Sequence, residues 1–396
     1  METPLSGIRV LDLTRVLAGP FCTMILNDLG AEVIKIEIPK KGDDSRAFGP
    51  FLQERSLYFL SINRGKKSLS LNLKHPAGKK ILKELVKKAD VLVENYRPGT
   101  MEKLGLGYDI LKDINPRLIY AAASGFGHTG PYSQRPAYDI LAQAMGGIMS
   151  ITGWPGSAPT RVGMSLGDIT ASLFTAIGIT TALYQREKTG KGQKVDVAML
   201  DCQVAILENA LARYQAESKN PEPLGNRHPT ISPFQAYKAS DDYFVISIGN
   251  DSLWKTLCQT LERPDLIDDP RFKTNKLRTE NIEVLNIILE TIFTTRTAQT
   301  WLNLFESAHI PCAPINNIEN VMKDPQVLAR HMIVDAEDPE IGTVKIAGNP
   351  IKMDTVPDPP LQSKAPDIGE HNEEILTNHL EMSREELKKL KEEGVI

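Results

Sequence analysis

Cysteine is scarce. The 396 residues include four, Cys22, Cys202, Cys258 and Cys312, far apart and with no C-x-x-C pair. That argues against a disulfide framework or a zinc knuckle and fits a reducing compartment. Histidine is almost as sparse, with seven residues and no H-E-x-x-H. No carboxylate cluster has metal spacing, so no metal site is expected. A G-x-S-x-G nucleophile elbow is missing, which removes the serine-hydrolase reading. Positive charge is not in excess: 46 Lys and Arg stand against 50 Asp and Glu, a net charge of -4. No global field for nucleic acid follows from that balance. No run of apolar residues approaches the roughly 18 needed to span a bilayer. The N-terminal residues lack the basic start and apolar core of a signal peptide. The expectation is a soluble cytoplasmic protein with neither nucleic acid nor membrane as partner.

What is present is an ordinary globular composition, 41% hydrophobic and 24% charged, on a chain long enough for two domains. The first 125 or so residues alternate short apolar strands with helices. The strands are 8–13, 31–36, 68–73, 91–93 and 118–122; helical spacing covers 22–29 and 77–88. That rhythm predicts a parallel, doubly wound α/β sheet, with ligands beyond the carboxyl ends of its strands. The crevice is expected to be lined by 14–18, by the chain from Glu37 onward, by 94–99 and by 124–130. The stretch 168–211 reads as mostly helical, broken at 189–192. A Pro- and Asn-rich stretch at 219–229 reads as a linker or crossover loop. The expected domains are a large Rossmann-like one from 1–225, a smaller α+β one over 226–321, and a return segment, 322–396, completing the first. Trp254, Leu257, Cys258 and Leu261 read as a core stripe, and Ser383 with Glu386 as a capping box.

Three local features invite a functional reading. Gly125-Phe126-Gly127-His128-Thr129-Gly130 matches G-x-G-x-x-G after a strand. A dinucleotide fingerprint needs a helix to begin there, and Pro131 to Pro136 is loop chemistry instead. The better reading is a glycine-rich substrate loop, with Gly127 allowing close backbone approach. Residues 63–88 are basic. From Lys79 on this reads as a solvated helix face, whereas Arg64, Lys66, Lys67 and Lys74, with Arg97 and Lys103, are placed to surround ligand phosphates. Finally, Asp168 follows Gly167 ahead of a helical run. By pattern it is a helix N-cap. As a carboxylate held in a dry crevice it is instead a nucleophile toward a thioester, with Gly167 letting an N–H approach the oxyanion.

Six ordered motifs then resemble a known family: Leu11 to Pro20, Leu29 to Glu37, Val93 to Gly99, Leu166-Gly167-Asp168, Thr189 to Gln193, and Ile368 to His371. Together they resemble the class III CoA-transferases, the family of formyl-CoA transferase and L-carnitine CoA-transferase, from Leu5 to about Leu390. The resemblance implies a Rossmann-like large domain, an inserted small domain and a homodimer of interlocked chains. It implies that Asp168 attacks an acyl-CoA, giving a mixed anhydride and then an aspartyl-CoA thioester. It implies CoA contacts at Val16, Ala18, Leu71, Lys74, Asn95, Tyr96, Arg97, Lys103 and the residues around Arg135. The thioester is then substrate, and no permanently bound cofactor is expected.

The departures narrow the activity. Leu17 and Phe48 stand where formyl-CoA transferase has glutamine and tryptophan, so formyl transfer to oxalate is not expected. The related 2-methylacyl-CoA racemases need a His-Asp pair where this chain has Tyr138-Asp139, and tyrosine, with a pKa of about 10, is a poor base. The overall wording resembles the enzymes that use succinyl-CoA or another dicarboxyl-CoA donor. A second substrate carboxylate then needs a cation, and Arg15 and Arg46 are the candidates, with surface or dimer ion pairs as the competing reading. The remaining alternatives to a transferase are a racemase of the same fold and a non-catalytic CoA-binding protein.

Overall fold

The computed structural model describes residues 2–358 and 364–396. Its main sheet has six parallel strands: β1 (Arg9–Asp12), β2 (Glu32–Glu37), β3 (Lys67–Ser70), β4 (Val91–Glu94), β5 (Ile119–Ser124) and β6 (Lys194–Ala198). Their spatial order is β3-β2-β1-β4-β5-β6. This is the Rossmann order, which reverses between β1 and β4. The strands are apolar at successive positions because both faces are covered. Val10, Val33, Val91, Val93, Ile119 and Ala121 face one layer. Leu11, Ile34, Ile36, Leu69, Leu92 and Tyr120 face the other.

The helices that matter below are α1 (Ala18–Asp28), α2 (Pro76–Val86), α3 (Asp139–Met145) and α4 (Leu166–Thr189). Helix α2 buries Ile81, Leu82, Leu85 and Val86 against one face of the sheet. Helix α4 presses Ala176, Ile179, Ala182 and Leu183 onto the other face. It is 24 residues long and apolar enough that by length and composition alone it passes for a membrane span. Small buried residues, Ala171, Ser172, Thr175 and Ala176, explain the apolar run as a packing face. Leu173, Phe174, Ile177 and Tyr184 lie exposed on the opposite side.

One strand of the main sheet escaped the sequence reading. The region 168–211 is not helical throughout, because β6 follows the break at Gly190. Lys194-Val195-Asp196-Val197-Ala198 alternates polar and apolar, as an edge strand with one neighbour does. Five residues of period two are easily lost between helices.

The chain forms two compact units. The larger comprises Met1–Ile148, Arg161–Leu211 and Pro325–Ile396; the smaller comprises Met149–Thr160 and Ala212–Asp324. In the smaller unit, a three-stranded antiparallel sheet of Phe234–Lys238, Tyr243–Ser247 and Cys312–Pro314 carries helices. Phe244, Phe293, Trp301 and Phe305 pack as an aromatic cluster. Trp254, Leu257 and Cys258 point into that core, as their spacing predicts. At the end of the larger unit, Ser383 Oγ accepts from the Glu386 N–H while Glu386 Oε2 accepts from the Ser383 N–H at 2.8 Å, closing the capping box. Ser383→Ala is expected to cost about 1 kcal/mol in a urea titration.

Candidate active site

Two loops meet outside the strand ends where the order reverses. Asn95, after β4, accepts from the Arg15 N–H at 2.8 Å and donates to the Arg15 carbonyl at 2.7 Å, tying the loop after β1 to its neighbour. Within that loop Val16 has φ +68°. A β-branched residue is strained there, and strain persists only when the surroundings over-determine it. The cause lies beneath. The Val16 N–H donates to Asp43 Oδ1 at 3.1 Å. Asp43 pairs with Lys35 at 2.7 Å, and Lys35 Nζ donates to the Thr14 carbonyl at 3.0 Å. Asp12 accepts from Thr14, Thr23 and Lys66, the last at 3.0 Å. Burial alone would raise the Asp12 pKa; Lys66, Lys35 and the two hydroxyls more than offset it and hold the carboxyl well below its usual range.

Asp168 stands opposite, at the start of α4. Its place differs from the local pattern: the cap position is Ser165, and Asp168 lies inside the first turn. Burial, reinforced by the negative charge of Asp139, pushes its pKa up to about 7. Asp139 itself accepts from the Gly167 N–H at 2.7 Å and from Gln143 Nε2 at 2.8 Å. The Gly167 amide is therefore committed and is not a free oxyanion donor, contrary to expectation. The Gly127 amide is likewise spent, on Ser124 Oγ at 3.0 Å.

Two cavities adjoin Asp168. One, of about 470 Å³, brings together Arg15, Val16, Leu17, Ala18, Asn95, Tyr96, Arg97, Arg135 and Tyr138. The other, of about 810 Å³, is lined by Val16, Arg46, Phe48, Tyr58, Tyr138, Asp139 and Arg161. Val16, Asp44, Tyr138, Asp139 and Asp168 belong to both. Phe48 and Tyr58 meet edge to face at 6.2 Å. Burial and the Asp168 charge raise the Tyr58 phenol to about 12, so it stays a donor at neutral pH.

Other expected residues lie elsewhere. Leu71 is 1% exposed and belongs to the core, so its side chain cannot reach a ligand. Lys74 and Lys103 are exposed and line neither cavity. The phosphate reading fails for three basic residues because carboxylates already hold them, as buried cations such as Arg64 and Lys66 require; Lys67 is half-buried. Arg64 pairs with Asp28, Lys66 with Asp12, and Lys67 with Glu32 and Glu374. Arg46 is also consumed: Nε and Nη2 both bond Glu37 at 2.8 Å, and Nη2 also bonds the Pro366 carbonyl at 2.9 Å. Arg15 remains on the smaller cavity, with Nη1 on Asp44 at 3.0 Å. The sequence reading missed Tyr58, Gln143 and Arg161 and weighed Asp139 only as half of a racemase pair. The Asp139/Gln143 spacing of four on a helix was the one available signal.

The family model described as CoA-transferase family III matches residues 5–372. The chain belongs to CoA-transferase family III. It is 47% identical over 368 residues to the acetyl-CoA:oxalate CoA-transferase of Acetobacter aceti, covering 93% of each chain. Over 399 residues it is 42% identical to the human succinyl-CoA:glutarate CoA-transferase, covering 99% of this chain and 90% of that one. A solved CAIB/BAIF family protein from Brucella suis superposes with TM-score 0.84 at 39% identity, covering 96% of this chain and all of the other. The protein is thus a CoA-transferase, and its α/β fold is that of its family.

Proposed function

We propose that this CoA-transferase moves CoA from an acyl-CoA to a free carboxylic acid by covalent attack of Asp168. The observation that carries the reading is one half-buried, reluctantly ionised carboxyl group at the junction of two cavities. A poorly solvated carboxylate is an activated nucleophile. One Asp168 oxygen adds to the thioester carbonyl carbon, the C–S bond breaks, and CoA departs as thiolate, leaving a mixed anhydride. The thiolate adds to the Asp168 acyl carbon, the donor acid leaves as carboxylate, and an aspartyl-CoA thioester remains. The acceptor carboxylate runs the steps in reverse. This scheme uses the CoA thioester as substrate and requires neither metal nor redox cofactor. Exchange between thioesters is nearly isoenergetic, so the barrier is the problem, and orientation between the two cavities can supply roughly 7–11 kcal/mol.

The smaller cavity, under the strained first loop, is the proposed CoA side, with Val16, Ala18, Asn95, Tyr96, Arg97 and Arg135 as contacts. The larger is the acyl side. Oxalate in one relative's name, and succinyl and glutarate in the other's, are dicarboxylic units. They support a dicarboxylic partner here, with succinyl-CoA as the proposed donor. The exposed Leu173, Phe174, Ile177 and Tyr184 on α4 support a homodimer in which a second copy covers them. A cytoplasmic enzyme fits these substrates.

Succinyl-CoA offered with a panel of mono- and dicarboxylates, read by mass spectrometry, should yield the acceptor's CoA thioester. Racemase chemistry would instead exchange the α-hydrogen of a 2-methylacyl-CoA in deuterated water without any acceptor. The attacking form is the carboxylate, so kcat/KM for acyl-CoA should rise with pH to a plateau, with its midpoint at about 7. Asp139→Asn removes a neighbouring negative charge and should move that midpoint down in the same assay.

A further inference from the structure

We infer that Arg161 receives the distal carboxylate of a dicarboxylic substrate while its other end reacts at Asp168. The inference rests on the transferase reading above and names a specificity residue for it. Among the described residues, the cations on the wall of the larger cavity are Lys41, Arg46 and Arg161. Arg46 is forked onto Glu37 and lies over the Phe59 ring at 3.7 Å. Lys41 is paired with Asp44 at 2.8 Å. Among the described residues, Arg161 has only a 3.5 Å approach of Nη2 to Asp139 Oδ2, beyond good hydrogen-bond distance, and its side chain is 43% exposed.

Asp139 does not depend on that contact. Its two oxygens already accept from Gly167 and Gln143. Arg161 can therefore turn toward a ligand without orphaning a buried charge. The chain immediately after it, by contrast, is held. The Val162 N–H donates to Gln143 Oε1 at 2.9 Å, and Gln143 Nε2 reaches the Met164 carbonyl at 3.3 Å. Gln143 is fully buried on α3. A fixed backbone carrying a weakly engaged guanidinium is suited to bidentate capture of a carboxylate.

Charge points the same way. Asp43, Asp44, Asp139 and Asp168 also line this cavity. A dianionic acid entering it would be repelled unless a cation there were unspent. Donor and acceptor meet the same aspartate in turn, so one guanidinium serves the distal carboxylate of each.

The test compares wild type, Arg161→Gln and Arg161→Lys. The substrates are the dicarboxylate that wild type uses best and the monocarboxylate of equal carbon number, with succinyl-CoA and butyryl-CoA as the matching donors. Arg161→Gln should lower the dicarboxylate-to-monocarboxylate ratio of kcat/KM on the order of 10–100-fold, the loss of a charge-assisted pair. Arg161→Lys should recover part of it. A purely structural role would depress both substrates together and leave the ratio unchanged; that result overturns the assignment while leaving the transferase reading intact. A wild-type enzyme that exchanges CoA with neither substrate pair overturns both.

Discussion

Asp168→Ala is expected to abolish CoA transfer, with a fall of roughly 10,000-fold or more, as when an attacking nucleophile is removed from other enzymes. The variant should still fold, because the cap of α4 is at Ser165 and Asp168 caps nothing. Hydroxylamine should convert Asp168 to a hydroxamate, visible as a mass shift, only after acyl-CoA is added. Unchanged turnover in the alanine variant would overturn Asp168 as the nucleophile and with it the covalent scheme. Stability supplies a second reading. A carboxyl whose folded pKa is raised from 3.8 to about 7 contributes stability that is present below pH 3.8 and lost as pH rises through 7. Asp168→Asn is neutral and of similar size. It should therefore melt higher than the parent at pH 8, with the difference vanishing near pH 3.5. A site that gives up stability for reactivity behaves this way.

Lys66→Met is expected to lower unfolding free energy by about 3–5 kcal/mol in a denaturant titration, because it breaks a buried pair and strands a charge. Lys66 and Asp12 are both completely buried, and Lys66 also donates to the Pro20 carbonyl and to Asn63 Oδ1, each at 2.9 Å. The effect should reach the site. Asp12 lies beneath Thr14, and Lys35 holds the Thr14 carbonyl while pairing with the aspartate that pins Val16. KM for acyl-CoA should rise along with the loss of stability. A variant destabilised by the same amount at the far end of the unit, without change in KM, is the control.

The charged residues of the first hundred positions show why sequence reading divides here. Arg64, Lys66 and Lys67 look like a phosphate cradle in one dimension. In three they are ties between strands and helices, because a carboxylate distant in sequence meets each of them. Arg46 has the same history with Glu37. Arg161 is the reverse case. It sits in a segment without periodicity, so nothing local marks it, yet its contacts leave its charge available.

Asp168 carries both lessons. Periodicity of two and of 3.6, read from apolar positions alone, was enough to predict a parallel sheet sandwiched between helices, because burial of a face is a local and repeating requirement. The ordered motifs brought the first loop, the 95–99 loop and Asp168 forward as one candidate site. Tertiary structure alone decided that Asp168 is not a cap, that Gly167 and Gly127 have no free amide, and that Asp139 raises its neighbour's pKa. Those facts depend on distances and desolvation between residues tens of positions apart, and such quantities exist only once the chain is folded.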